Sequence, residues 1–142
     1  MVLTPYPIKV ATPDGGSLYL AIDQSFDIGP HPDFAGEHKL FTRSYWYGVY
    51  ESDDVEHSTP IIAWHLESTN DDWPDPHAHA PLGDPLGRGP RLHIPTGSRM
   101  TVEKMLKFLL DEKLVEPAHG DWQEHLGDGQ ARFDAFQTQE RN

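Results

Sequence analysis

Residues 39–67 read KLFTRSYWYGVYESDDVEHSTPIIAWHLE, and this stretch decides the fold. In 39–51, Phe41, Arg43, Tyr45, Tyr47 and Val49 fall on one parity, and Leu40, Thr42, Trp46 and Tyr50 on the other, with Ser44 and Gly48. Successive side chains of a β-strand point to opposite faces. Aromatic residues on both parities therefore predict a central strand covered on both sides. Residues 59–67 repeat the pattern, with Ile61, Ala63 and His65 on one face and Ile62, Trp64 and Leu66 on the other. The acidic segment Ser52–Ser58 joins the two as a turn, so the pair reads as a β-hairpin.

Working outward, residues 7–22 form a second hairpin. Ile8 and Val10, then Leu18, Leu20 and Ile22, alternate around the turn Pro13-Asp14-Gly15-Gly16. Residues 23–38 carry two prolines and two glycines and read as a loop. Residues 68–90 are a second loop, rich in Pro, Gly and Asp; a loop of that length inside a small domain is usually functional. A short strand, Arg91–Ile94, ends it.

The helix is residues 102–115, where Val102, Met105, Leu106, Leu109, Leu110 and Leu114 share one apolar stripe. Thr101 is its N-cap, Glu103 lies in its first turn and Pro117 stops it. The tail 119–142 holds a short helix near Ala131–Gln137. The expected fold is a single α+β domain over 1–142: a twisted antiparallel sheet packed against one main C-terminal helix. Residues 1–6 and 138–142 are expected to fray.

The chain has 142 residues, no cysteine and a formal net charge of −12. Without thiols there is no disulfide framework, no thiolate catalysis and no cysteine-ligated metal. The acidity disfavours non-specific nucleic-acid binding and suits small-molecule or metal chemistry, or a basic protein partner. No window is apolar enough to span a membrane and no signal peptide is evident, so a cytoplasmic location is expected.

The candidate site follows the hairpin. Residues 64–97, WHLESTNDDWPDPHAHAPLGDPLGRGPRLHIPTG, hold four of the nine histidines. In extended chain His77 and His79 point the same way, as do Arg91 and His93. His77, His79 and His93, with Asp84 or water as fourth ligand, would suit zinc or another divalent metal. The ordinary alternative is that these rings cap loop carbonyls. A metal-free alternative gives His77, His79, Arg91 and His93 the acid, base and cation roles of RNA cleavage. His65 could join from the neighbouring strand; otherwise it is a sheet histidine bonded to a backbone carbonyl. Core packing is the ordinary reading of Tyr45, Trp46 and Tyr47, with base stacking as the alternative. Pro85–Pro90 lacks the phosphate-loop pattern, and no nucleophile elbow is present.

The order SYWYGVYE, WHLE, PDPHAHAP and TVEKMLKFLL resembles the small TumE-type toxins of bacterial toxin–antitoxin modules. The resemblance places His77 and His79 in that family's histidine segment and Thr101 to Leu110 at its helix start. It implies a small α+β protein working beside an antitoxin, with a nuclease-like role. His77, His79, Asp84 and His93 are also similar to the metal motif of cupins. Three functions are thus open: a toxin-like ribonuclease, a metal-binding protein or metalloenzyme, and a non-catalytic acidic protein that meets a basic partner.

Overall fold

Hydrophobic alternation in the middle of the chain builds an antiparallel sheet, seen in a computed structural model that describes residues 7–31, 34–67, 75–81 and 91–138. The strands are β1 (Ile8–Ala11), β2 (Ser17–Pro30), β3 (His38–Tyr50), β4 (Ile62–Glu67), β5 (His77–Pro81) and β6 (Arg91–Pro95). They lie side by side in chain order, β1 to β6. Two helices follow, α1 (Val102–Asp111) and α2 (Trp122–Thr138). The architecture is α+β and mostly sheet. Two compact units can be described: Tyr19–Arg99, with most of the sheet, and Val10–Leu18 with Met100 onward.

In the sheet unit, β3 is an inner strand, as its two-faced aromatic pattern predicts. It pairs with β2 from Tyr19↔Tyr50 to Pro30↔His38 and with β4 from Ser44↔Glu67 to Val49↔Ile62. One face is the core. Leu20, Ile22, Tyr45, Tyr47, Val49, Trp64, Leu66 and Ala78 are all buried there. Each large member contributes roughly 1.5–3 kcal/mol relative to exposure. Tyr45 and Tyr47 stack with ring centroids 4.7 Å apart. The Tyr47 hydroxyl donates to Gln24 Oε1 at 3.1 Å, which satisfies a polar atom that burial would otherwise strand.

The loop expected over 23–38 is mostly strand. β2 continues to Pro30, and its register with β3 shifts between Ser25 and Phe26, opposite Arg43. This bulge keeps the pairing going past the shift. The second expected loop, 68–90, contains β5, whose Ala78 pairs with Trp64 on one side and Ile94 on the other.

In the second unit, Thr101 caps α1 as expected, accepting from the Lys104 N–H at 3.1 Å. The helix ends at Asp111, well before Pro117. Leu114 N–H donates to Leu109 O at 2.9 Å and Lys113 N–H to Leu110 O at 3.1 Å, while Lys113 takes a positive φ of 55°. This is a Schellman stop with a lysine where glycine is usual. The tail helix is not the short one expected, since α2 runs 17 residues from Trp122. Among the described residues there are therefore two helices in place of one main helix. The Thr101 hydroxyl also donates to Gln130 Oε1 at 2.7 Å, tying the start of α1 to α2. The expected fraying falls on residues 1–6 and 139–142, which lie outside the described residues, except for Thr138, the last residue of α2.

Candidate metal centre

The second face of the sheet carries the histidines, and strand register brings them together. His65 of β4 pairs with Trp46 of β3 and with His77 of β5. Two residues along the strands, and so on the same face, His79 of β5 pairs with Ala63 of β4 and with His93 of β6. Residues directly opposite across strands have Cβ atoms roughly 4.5–5.5 Å apart. Two successive rows of this face, separated in the ladder by the core-facing row Trp64–Ala78–Ile94, thus hold four imidazoles.

Ring centroids lie 4.8 Å apart for His77–His79, 5.4 Å for His65–His77 and 5.7 Å for His65–His79. His93 lies 4.6 Å from His79 and 5.3 Å from His77. The ligand nitrogens of His65, His77 and His79 all fall within 4.8 Å of one another. Zinc–nitrogen bonds of about 2.0–2.1 Å in a tetrahedral site set ligand nitrogens roughly 3.3 Å apart. Small rotamer adjustments of three rings would close that gap.

His77 is held by its own strand's approach. It is buried, and its Nδ1 lies 2.8 Å from the Asp75 carbonyl oxygen. A carbonyl only accepts, so Nδ1 carries the proton and Nε2 keeps its lone pair. A metal ligand needs that arrangement. Both ring nitrogens of the neighbouring His79 are shielded from solvent.

The surroundings favour the neutral form of His65. Burial lowers the His65 pKa most; nearby His77 and His93 lower it further, while Glu67 acts the other way. Imidazoles this close cannot all be protonated without mutual repulsion. A neutral imidazole is the metal-binding form.

An aromatic wall flanks the cluster. The Trp46 ring lies 5.3 Å from His65 and 5.7 Å from His79. Its indole N–H donates to the Tyr50 hydroxyl at 3.2 Å. That geometry needs Gly48 between them, because a Cβ there would stand 2.5 Å from the Tyr50 ring. Of the three aromatics weighed for base stacking, Tyr45 and Tyr47 are buried on the opposite, core face.

The expected site residues divide as follows. His77, His79 and His93 are brought together, and His65 joins them from β4. Arg91 is described by its backbone alone, which opens β6 opposite Pro81. Asp84 lies outside the described residues, as do Arg88 and the Pro85–Pro90 segment. Two neighbours were not assigned to the histidine site from the sequence: Trp46, whose place beside the histidines depends on register, and Glu67. The Glu67 carboxylate lies 3.7 Å from His65 Nε2. Its spacing of two from His65, on the same face, was the available clue.

Compared with known protein families, curated proteins and solved structures, the chain matches none. No described helix is long and apolar enough to cross a membrane.

Proposed function

We propose that this protein binds a divalent transition metal, zinc foremost, through His65, His77 and His79, with His93 beside them. The observation that carries this reading is the mutual approach of three imidazole nitrogens to within 4.8 Å on one sheet face. The donor set is all nitrogen. It suits zinc, copper, nickel or cobalt and disfavours magnesium and calcium, which take oxygen ligands. Three protein ligands leave a coordination position for water or substrate, as in catalytic zinc sites. The chemistry such a site supports is metal-activated hydrolysis or carbonyl polarisation.

The test is metal content of untagged protein purified from zinc-supplemented medium, measured by mass spectrometry. Near-stoichiometric metal should be present in the wild type and absent from His77→Ala/His79→Ala. Absence of bound metal in a folded wild type contradicts the reading.

The toxin-like reading, a metal-independent ribonuclease, draws on the same imidazoles. The gathering of His77, His79 and His93 on one sheet face is the observation it draws on. It requires RNA cleavage that persists in excess chelator and growth inhibition relieved by an antitoxin. RNA left intact under those conditions removes it. A cytoplasmic location belongs to both readings and agrees with the acidic, cysteine-free composition.

A further inference from the structure

We propose that Glu67 is a positioning residue for the metal site: it holds the Nε2 proton of His65, so that His65 meets the metal through Nδ1. This inference rests on the metal reading above.

Glu67 and His65 are two residues apart on β4 and therefore share a face. Glu67 Oε2 lies 3.7 Å from His65 Nε2. That is ion-pair range, and a small side-chain rotation closes it to a hydrogen bond. The Glu67 side chain is half exposed, so it is free to make that rotation.

The carboxylate is not itself a member of the cluster. The group of mutually close ligand atoms consists of His65, His77 and His79. Glu67 thus approaches one ring without joining the convergence of the three, as expected for an oxygen standing behind a ligand. A neutral imidazole has one N–H and one lone pair, and an acceptor at one nitrogen sends the lone pair to the other. With Nε2 facing Glu67, the lone pair of His65 sits on Nδ1.

His77 is set by the same logic in mirror image. The Asp75 carbonyl takes its Nδ1 proton at 2.8 Å and leaves Nε2 for the metal. The two best-defined ligands would then bind through opposite nitrogens, each backed by its own oxygen. A carboxylate behind a ligating histidine raises ligand basicity and fixes ring orientation, and its loss costs about 10–100-fold in metal affinity.

The test combines imidazole nitrogen NMR on ¹⁵N-labelled protein with zinc affinity by chelator competition, for wild type, Glu67→Gln and Glu67→Ala. In metal-free wild type, His65 should be the Nε2–H tautomer and His77 the Nδ1–H tautomer. Zinc should shift His65 Nδ1 and His77 Nε2. Glu67→Ala should weaken zinc about 10–100-fold while its metal-free melting temperature stays unchanged. Glu67→Gln should recover part of the affinity, because the amide oxygen still accepts. The proposal is overturned if wild type binds zinc with His65 through Nε2, or if Glu67→Ala binds as tightly as wild type. Wild type that binds no zinc overturns the metal reading and this role together, whereas failure of the Glu67 role alone leaves wild-type binding intact.

Discussion

Replacing Gly48 with alanine puts a methyl group where the Tyr50 ring already is. The added Cβ would lie 2.5 Å from Tyr50 Cε2, 2.8 Å from its hydroxyl and 2.9 Å from Cζ. All three distances are inside van der Waals contact, and Tyr50 is only 5% exposed, so the ring has little room to retreat. Overpacking of this kind costs about 1–3 kcal/mol. Displacing Tyr50 also breaks the bond from the Trp46 indole at 3.2 Å, worth about 1 kcal/mol net. Alanine offsets about 0.5 kcal/mol by losing less chain entropy on folding. The net expectation is a loss of about 1.5–3.5 kcal/mol. Urea unfolding followed by tryptophan fluorescence measures it, and the paired variant Gly48→Ala/Tyr50→Phe tests the cause. Removing the hydroxyl relieves the 2.8 Å contact but leaves the ring contact, so most of the loss should persist. A change below about 0.5 kcal/mol in Gly48→Ala would refute the reasoning, because no overpacked buried site relaxes so cheaply.

Two further outcomes follow from the described geometry. Thr101→Ala removes the α1 cap and the bond to Gln130, and should cost about 1–2 kcal/mol by thermal or urea melts; an unchanged midpoint would mean that water replaces both bonds. In metal-free protein, His57 and His65 should titrate on opposite sides of the ordinary value of 6.5. His57 titrates above it because Asp54 accepts its Nδ1 proton at 2.8 Å, so the His57 contribution is full below pH 6.5 while Asp54 stays ionised, and fades as pH rises through the raised value. His65 titrates below 6.5 because burial opposes its charge; the unfolded chain then takes the proton first, and stability falls as pH drops below 6.5. NMR titration curves crossing in the reverse order would contradict both assignments.

Local alternation made the central hairpin readable. The parities put Tyr45, Tyr47 and Val49 on one face, and Trp64 and Leu66 on one face, because a period of two leaves no other choice; which face is the core came only from the structure. His77 and His79 share a face for the same reason. Their meeting with His65 was not readable, since it depends on the register His65↔His77, set by long-range pairing. Residues 23–30 read as loop because Gly29 and Pro30 mask the weak alternation of Phe26 and Ile28. The partner strand overrides that composition, pairing Phe26 with Thr42 and Ile28 with Leu40. Gly127 and Gly129 likewise hid most of α2. A Cβ at Gly129 would stand 3.1 Å from Glu103 Cγ, so the glycine that lowers helix propensity also lets α2 approach α1. The early stop of α1 at Lys113 had no sequence signal, because lysine is an uncommon choice for a left-handed residue.

The most direct test of the central claim is titration of metal-free protein with cobalt(II), read by visible absorption. Four- or five-coordinate cobalt bound by imidazole absorbs far more strongly than the aqueous ion. Intense bands should saturate at one cobalt per chain, be displaced by zinc, and vanish in His65→Ala as well as in His77→Ala. Absorption no stronger than that of the free ion, from protein shown to be folded, would contradict the claim. Saturation that survives His65→Ala would move the site away from the three rings the sheet brings together.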